Sequence, residues 1–185
     1  DATVQLGRAG FVHDTSDDVT VLTVPAPAAA AAAIAVPDDI VVRPVVDEVD
    51  LDLWLTTTAL GWGHDTTAAR AASDAFTRAA HVVDGEGMVL AFDRSGERPI
   101  GCASTTVRDG IATLGGMSTI PAERRRGVQA ALVRHRLARA AELGCELAAS
   151  TAATGGASER NLIRLGFEAH FAIETWTRRG SRAPR

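Results

Sequence analysis

The chain has 185 residues and 46% hydrophobic content, which predict one globular domain with a sizeable core. The net charge of −4 argues against a general polyanion binder, and the absence of lysine and tyrosine excludes Schiff-base lysine chemistry and a phenolic acid. Charge is unevenly distributed, with ten acids and two arginines in residues 1–60 but twelve arginines and six glutamates in residues 123–185. This distribution favours a local anionic ligand over long nucleic acid, the alternative being a solvated arginine-rich surface.

The N-terminal third begins with strands and continues into helices. Residues 11–24 are typical of two short strands around an Asp/Ser turn, and residues 25–39 have the Pro/Ala composition of a linker. β-branched residues predict a strand over 40–46. Helix-forming composition predicts helices over 50–60 and 66–82, separated by a glycine-rich turn.

The middle of the chain is β-rich. Apolar stretches over 88–92, 99–107 and 111–120 are separated by turn residues, and the short Asp109-Gly110 connection predicts an antiparallel hairpin. After Pro121 comes a helix of roughly seventeen residues that ends at Gly144. Its predicted apolar side comprises Val128, Leu132, Val133, Leu137, Ala140, Ala141 and Leu143, and its predicted solvent side comprises Arg134, Arg136 and Arg139.

The last elements are a strand over 146–151, a short helix over 158–165 and a strand region over 167–177. This order of strands and helices predicts a mixed α/β (α+β) fold around one sheet. The corresponding division of the chain is an N-terminal strand segment (1–24), a Pro/Ala linker (25–39), the main domain (40–178) and a C-terminal tail (179–185).

A short sequence in the N-terminal segment resembles one near the C-terminus. The sequence LGRAGF at residues 6–11 resembles LIRLGF at residues 162–167, and strand-like sequence follows both. Either the match is chance, or residues 1–24 are the tail of a partial second copy of the fold.

The segment from Ile120 to Leu132 lies between a predicted strand and the long helix. A helix N-terminus offers unpaired N–H groups and the positive end of the macrodipole, and Gly127 is expected to allow a ligand close to the backbone. With the charge of Arg124, Arg125 and Arg126, this is the composition of a diphosphate site. The alternative is an ordinary helix start with surface arginines. A Walker loop and a Rossmann fingerprint are excluded, because there is no lysine and only one glycine in the loop.

These residues resemble the GNAT superfamily of acetyl-CoA-dependent N-acyltransferases. The family signature, Arg/Gln-x-x-Gly-x-Gly/Ala, is matched by Arg124 and Gly127, whereas Gln129 replaces the final small residue. Residues 158–167 resemble the family's C-terminal Asn-helix-Gly-Phe element. The resemblance as a whole extends from about residue 40 to 176. It implies a mixed, mostly antiparallel sheet with a central splay, flanked by helices.

The resemblance also implies acetyl-CoA as the cofactor and assigns residues to it. The end of the 111–120 strand would offer backbone groups to the pantetheine arm and the acetyl carbonyl, the 124–131 loop would hold the pyrophosphate, and residues near 160 would line the far side. The implied cofactor residues are Met117, Ser118, Thr119, Arg124, Arg125, Arg126, Gly127, Val128, Gln129, Ala130, Ala131, Ser158 and Asn161. Arg164 would either reach the 3′-phosphate or lie in solvent.

The catalytic acid and base are not identified. Leu162 occupies the position where many relatives carry a tyrosine acid, and Ser158 is either a substitute or a helix cap. Glu123 is either a base or solvent-facing. Trp62 and His64 are candidates for the acceptor pocket, with His64 able to take a proton near neutral pH; alternatively, they belong to a turn with Trp62 anchored in the core.

Three functions therefore remain open: an N-acetyltransferase acting on a primary amine of a small molecule or peptide, a catalytically silent acetyl-CoA-binding domain, and an interaction module of a tandem GNAT protein. Neither a nucleic acid nor a membrane is expected as partner, and a homodimer is left open. No histidine or cysteine spacing predicts a metal site. Cys102 and Cys145 are expected to be buried, reduced side chains, which agrees with a cytoplasmic protein.

Overall fold

The computed structural model describes residues 2–31, 36–64, 66–84 and 87–178. The predicted tail, 179–185, lies outside the described residues. The helices are α1 (Ala2–Arg8), α2 (Ala26–Ala31), α3 (Glu48–Trp62), α4 (Thr67–Asp84), α5 (Val128–Glu142) and α6 (Ala157–Arg164). The strands are β1 (Phe11–His13), β2 (Val19–Pro25), β3 (Ile40–Pro44), β4 (Val89–Asp93), β5 (Pro99–Arg108), β6 (Ile111–Thr119), β7 (Leu147–Ala153), β8 (Glu168–Ile173) and β9 (Trp176–Arg178).

The chain forms two compact units. Val24–Ser150 make up the larger unit, and Asp1–Thr23 with Thr151–Arg185 make up the smaller one. The chain passes from one unit to the other inside β2 and inside β7. The predicted segments, with boundaries after residues 24 and 39, divide the chain differently and stay a prediction.

The larger unit is built on a mixed sheet in the order β3-β4-β5-β6-β7. Neighbours from β3 to β6 are antiparallel, while β6 and β7 are parallel. Side chains alternate between the two faces of β4. Val89 and Ala91 therefore share a buried cluster with α5, whereas Leu90 and Phe92 share another with α3. This arrangement confirms the predicted mixed α/β class with helices flanking a mostly antiparallel sheet.

The local signals for turns and caps agree with the structure. Asp109 and Gly110 both have positive φ, +50° and +75°, as a tight hairpin turn between β5 and β6 requires. The side chain of Thr66 accepts a hydrogen bond from the N–H of Ala69 at 3.1 Å, which caps α4. Cys102 and Cys145 are both buried, free thiols.

The structure differs from the sequence expectation at two places. The predicted linker contains α2, whose Ala26 and Ala29 are buried, and α2 packs against α5. Arg136, expected in solvent, is only 2% exposed. It shares a face of α5 with Leu132 and Ala140, because these residues lie four apart along the helix.

The smaller unit contains two antiparallel strand pairs, β1 with β9 and β2 with β8. Its helices, α1 and α6, each precede a strand. No helix in the described part of the chain has the length and apolar character needed to cross a membrane.

Candidate cofactor and acceptor site

The pairing between β6 and β7 ends before β6 does. Their parallel register extends from Ile111↔Leu147 to Leu114↔Ser150, whereas β6 continues to Thr119. Within the described residues, the last five residues of β6 therefore have no registered partner in β7. The implied splay in the sheet is confirmed, and it leaves one edge of β6 open.

A bulge shapes the same stretch of β6. The register with β5 shifts between Cys102 and Ser104, and Gly116 has φ of +54°. A Cβ on Gly116 would lie 2.6 Å from the Ser104 hydroxyl. Glycine is thus required here both for its conformation and for the close approach of β5.

Arg136, on α5, stabilises this bulge through hydrogen bonds. Its guanidinium Nη1 donates to the carbonyl oxygens of Ser104 at 3.0 Å and Gly115 at 3.2 Å, and its Nη2 lies 3.2 Å from Sδ of Met117. Burial lowers the pKa of Arg136 to about 9. An arginine on α5 therefore holds the strand end that the resemblance assigns to the pantetheine arm. This role of Arg136 was not predicted from its residue type, although its four-residue spacing from Leu132 indicates a buried position.

The loop between β6 and α5 ends in an uncapped helix N-terminus. Arg125 and Gly127 both have positive φ, +65° and +85°. Gly127 is the N-cap of α5 and carries no side chain to cap the first turn. The first N–H groups of α5 are therefore directed out of the helix at the positive end of its dipole, an arrangement that suits an anionic group.

The arginines of the loop are largely engaged with the protein itself. Nη2 of Arg124 donates to the carbonyl oxygen of Gly61 at 3.0 Å, at the end of α3. Arg126 forms ion pairs with Glu123 and Asp39, which raise the pKa of its guanidinium. Main-chain N–H groups therefore remain the principal donors for an anion.

Glu123 is buried, whereas one interpretation of the sequence placed it in solvent. It is 8% exposed and bridges Arg126 to Arg98, which lies 3.0 Å from its second carboxylate oxygen. This doubly paired carboxylate is a structural anchor for the loop.

Gly127 packs closely against a proline ring. A Cβ built on it would lie 2.8 Å from the Cγ and Cδ atoms of Pro37. Because Gly127 has no side chain, the Pro37 ring can pack against its backbone. Asp39, two residues further on, pairs with Arg126, so the segment before β3 lies against the loop.

The acceptor candidates lie at the end of α3. Trp62 is 53% exposed, so it is not anchored in the core. Its Nε1 donates to the carbonyl oxygen of Met117 at 3.2 Å. Its ring meets that of His64 edge-on, with centroids 5.8 Å apart. Nδ1 of His64 is buried and has no hydrogen-bond partner among the described residues.

Close packing positions α3 against β6. A Cβ on Gly61 would lie 1.7 Å from Oγ of Ser118, so only glycine fits there. Ser118 is buried, and its hydroxyl lies 3.5 Å from the carbonyl oxygen of Thr58. Its side chain thus faces α3, and main-chain groups are what it can offer a ligand.

The remaining predicted residues belong to the smaller unit. Ser158 and Asn161 lie on α6, whose N-cap is Gly156, so Ser158 is not the cap. Arg164 donates to the side-chain oxygen of Asn161. Leu162 is 1% exposed and contributes to the core. The cofactor roles of Ser158 and Asn161 stay predictions.

Comparison with known proteins agrees with this geometry. Residues 51–167 match the family model described as the acetyltransferase (GNAT) family. No curated protein matches the chain. Among the described residues, no cluster of three or more His, Cys, Asp or Glu side chains could hold a metal ion.

Several solved structures share the fold. A GCN5-related N-acetyltransferase from Sphaerobacter thermophilus is 18% identical, with a TM-score of 0.72 over 95% of this chain and 54% of that one. One from Kribbella flavida is 20% identical, with a TM-score of 0.66 over 97% and 64%. A tandem GNAT protein from the clavulanic acid biosynthesis pathway is 15% identical, with a TM-score of 0.65 over 95% and 57%. The chain thus spans 54–64% of the length of these structures.

Proposed function

Because the chain belongs to the acetyltransferase (GNAT) family, we propose that it binds acetyl-CoA and transfers the acetyl group to a primary amine of a small molecule or peptide. The observation that carries the proposal is the uncapped N-terminus of α5, which follows, after the loop 120–127, the end of β6 that has no registered partner in β7. A helix N-terminus beside an open strand edge offers donors for a pyrophosphate and for an amide-containing arm.

The loop from Arg124 to Ala131 fits a diphosphate. Its main-chain N–H groups supply hydrogen bonds, and the α5 dipole adds partial positive charge. Glu123 orients Arg126, and the Gly61 carbonyl orients Arg124, so the loop conformation is held without the ligand. A site that is already formed loses less conformational entropy on binding.

Bound acetyl-CoA would supply a thioester carbonyl that a neutral amine can attack directly. The open edge of β6 past Leu114 would present main-chain donors to the developing negative charge on the carbonyl oxygen. Arg136 and Trp62 hold this edge through the carbonyl oxygens of Gly115 and Met117. Catalysis then depends mainly on positioning and on preorganised N–H groups.

His64 is the proposed proton acceptor. It lies next to Trp62 at the end of α3, and its buried Nδ1 has no hydrogen-bond partner among the described residues. The residue as a whole is only half-buried, so the accessible side of its ring would take the proton from the amine, directly or through water. Trp62, more than half exposed, would form a wall of the acceptor pocket.

A second candidate function is acetyl-CoA binding without turnover. Leu162 favours it, since a buried aliphatic side chain cannot protonate the leaving thiolate. Thiols are acidic enough to leave as thiolates without a proton donor. Leu162 therefore slows the proposed reaction but does not prevent it.

A thiol-release assay with a panel of primary amines tests the proposal, together with calorimetric titration of acetyl-CoA. Amine-dependent release of coenzyme A supports the acetyltransferase. Binding without release on any amine supports the silent domain, and no binding at millimolar acetyl-CoA contradicts both.

A further inference from the structure

A cavity of about 220 Å³ lies between the C-terminal half of α5 and the strands β4 and β5. Its apolar lining comes from Val89 and Val107 on the strands and from Ala140 and Leu143 at the end of the helix. An apolar cavity of about 150 Å³ can take up benzene, so this one has room for a ring and one polar group. Ala140 follows Gly127 by thirteen residues, or about 20 Å along the helix axis, so the cavity is separate from the proposed pyrophosphate loop.

Thr105, in the lining of this cavity, carries a buried hydroxyl group. The residue is 8% exposed, and its Oγ1 has no hydrogen-bond partner among the described residues. Burial of a hydroxyl without a partner is unfavourable, because its hydrogen bonds to water are lost and not replaced. Rotation about χ1 can exchange the positions of the hydroxyl and the methyl group, which turns the hydroxyl to an acceptor in the cavity. A ligand that carries an acceptor would therefore satisfy this group.

The charged side chains in the lining are cationic. They are Arg136 and Arg139, and among the described residues no aspartate or glutamate lines the cavity. Arg139 is exposed and pairs with Glu142 at 3.1 Å. The half-buried His135 adds a further hydrogen-bonding group, and burial lowers its pKa, so the ring stays neutral at pH 7. This lining favours an anion over a cation.

Arg136 is a buried cation without a counter-ion among the described residues. It is 2% exposed, and its partners are the carbonyl oxygens of Leu132, Ser104 and Gly115 and the sulfur of Met117, all of them uncharged. Burial lowers its pKa to about 9, which leaves the guanidinium charged at neutral pH. Buried charges in proteins are usually paired with an opposite charge. One negative charge in the adjoining cavity would balance this cation.

We propose that the cavity binds a small monocarboxylate that carries a compact apolar group, either a ring or a branched chain. The carboxylate accepts a hydrogen bond from Thr105 and balances the charge of Arg136, while the apolar group packs against Val89 and Ala140. A dianionic phosphate is a poorer ligand, because the apolar lining cannot solvate its second charge. The inference is independent of acyl transfer, since the lining includes no residue of the pyrophosphate loop or the acceptor pocket.

An NMR titration of the protein with benzoate and with isovalerate tests the proposal. We expect saturable shifts of the amide signals of Thr105 and Val107 at millimolar ligand, with the signals of residues 124–131 unchanged. Benzamide and benzylamine have nearly the size of benzoate but are neutral and cationic, so they should bind at least tenfold more weakly. The absence of saturable shifts with both carboxylates overturns the proposal. So does equal binding of benzamide, and so do shifts confined to residues 124–131.

Two variants of the lining give a second measurement. Thr105→Val removes the hydroxyl and should weaken benzoate binding by about tenfold or more, because a hydrogen bond to a charged group is lost. It should not lower the unfolding midpoint, since this hydroxyl has no partner among the described residues. Ala140→Leu fills part of the cavity and should abolish binding. Ala138→Leu, at an exposed position of the same helix, is the control and should bind as the parent chain does. Parental affinity in either variant of the lining would overturn the proposal.

Discussion

Nε1 of Trp62 donates a hydrogen bond to the carbonyl oxygen of Met117 at 3.2 Å, which joins the last turn of α3 to the open end of β6. Trp62→Phe keeps an aromatic ring but removes this donor. One hydrogen bond contributes about 0.5–1.5 kcal/mol, so acetyl-CoA affinity should fall by roughly 2- to 12-fold. Calorimetry measures this change; an affinity equal to that of the parent chain would mean that the bond does not orient the strand.

Arg136→Met should destabilise the protein by about 3 kcal/mol, because backbone carbonyls of the β5–β6 bulge lose their buried donor. Urea unfolding measures the change. Arg139→Met is the matched control on the same helix, since Arg139 forms an exposed pair with Glu142, and it should cost less than about 1 kcal/mol. Similar costs for the two variants would contradict the assigned role of Arg136.

Cys102 should resist alkylation in the folded state. Burial raises the pKa of its thiol from 9.0 to about 12. Between these values the unfolded chain loses the proton while the folded chain keeps it, so the free energy of unfolding should fall as pH rises from about 9 to 12. Cys102→Ser should flatten that decline. Rapid labelling of folded protein by iodoacetamide at pH 8, mapped to Cys102, would refute the burial argument.

His64→Gln should lower kcat for amine acetylation by on the order of 100-fold, because the proposed proton acceptor is lost. Acetyl-CoA affinity should change little, since His64 is not part of the pyrophosphate loop. A variant with the parental kcat would assign the base elsewhere.

Much of the fold could be predicted from local pattern. The Asp109-Gly110 hairpin and the α4 cap follow from residues close in sequence, where turn and capping chemistry decide the structure. The mostly antiparallel sheet and its splay depended on the family resemblance, because a register such as Leu114↔Ser150 is set by packing between distant segments.

The contacts at the site that were not predicted from the sequence have a common physical cause. Arg136 was placed in solvent on residue type alone, although its spacing from Leu132 puts it on the buried face of α5. The Pro37 ring against Gly127 was not predicted either, and the cofactor role of Gly127 stays a prediction. Both outcomes depend on long-range partners, which charge and composition within a short segment do not specify.

The central claim is that the N-terminus of α5 holds the pyrophosphate of acetyl-CoA. Gly127 is an unsuitable position for the test, because any side chain there meets Pro37 and a strained φ of +85°. Ala130 is better, since it lies in the first turn of α5, where the charge of a glutamate interacts favourably with the helix dipole and preserves helix stability. Ala138→Glu makes the same change at an exposed position two turns further along the helix.

Calorimetric titration of acetyl-CoA into these two variants tests the claim most directly. Ala130→Glu should weaken binding by about tenfold or more through repulsion of the pyrophosphate, without lowering the unfolding midpoint. Ala138→Glu should bind as the parent chain does. Equal affinities of the two variants would contradict the assignment of the cofactor to this loop.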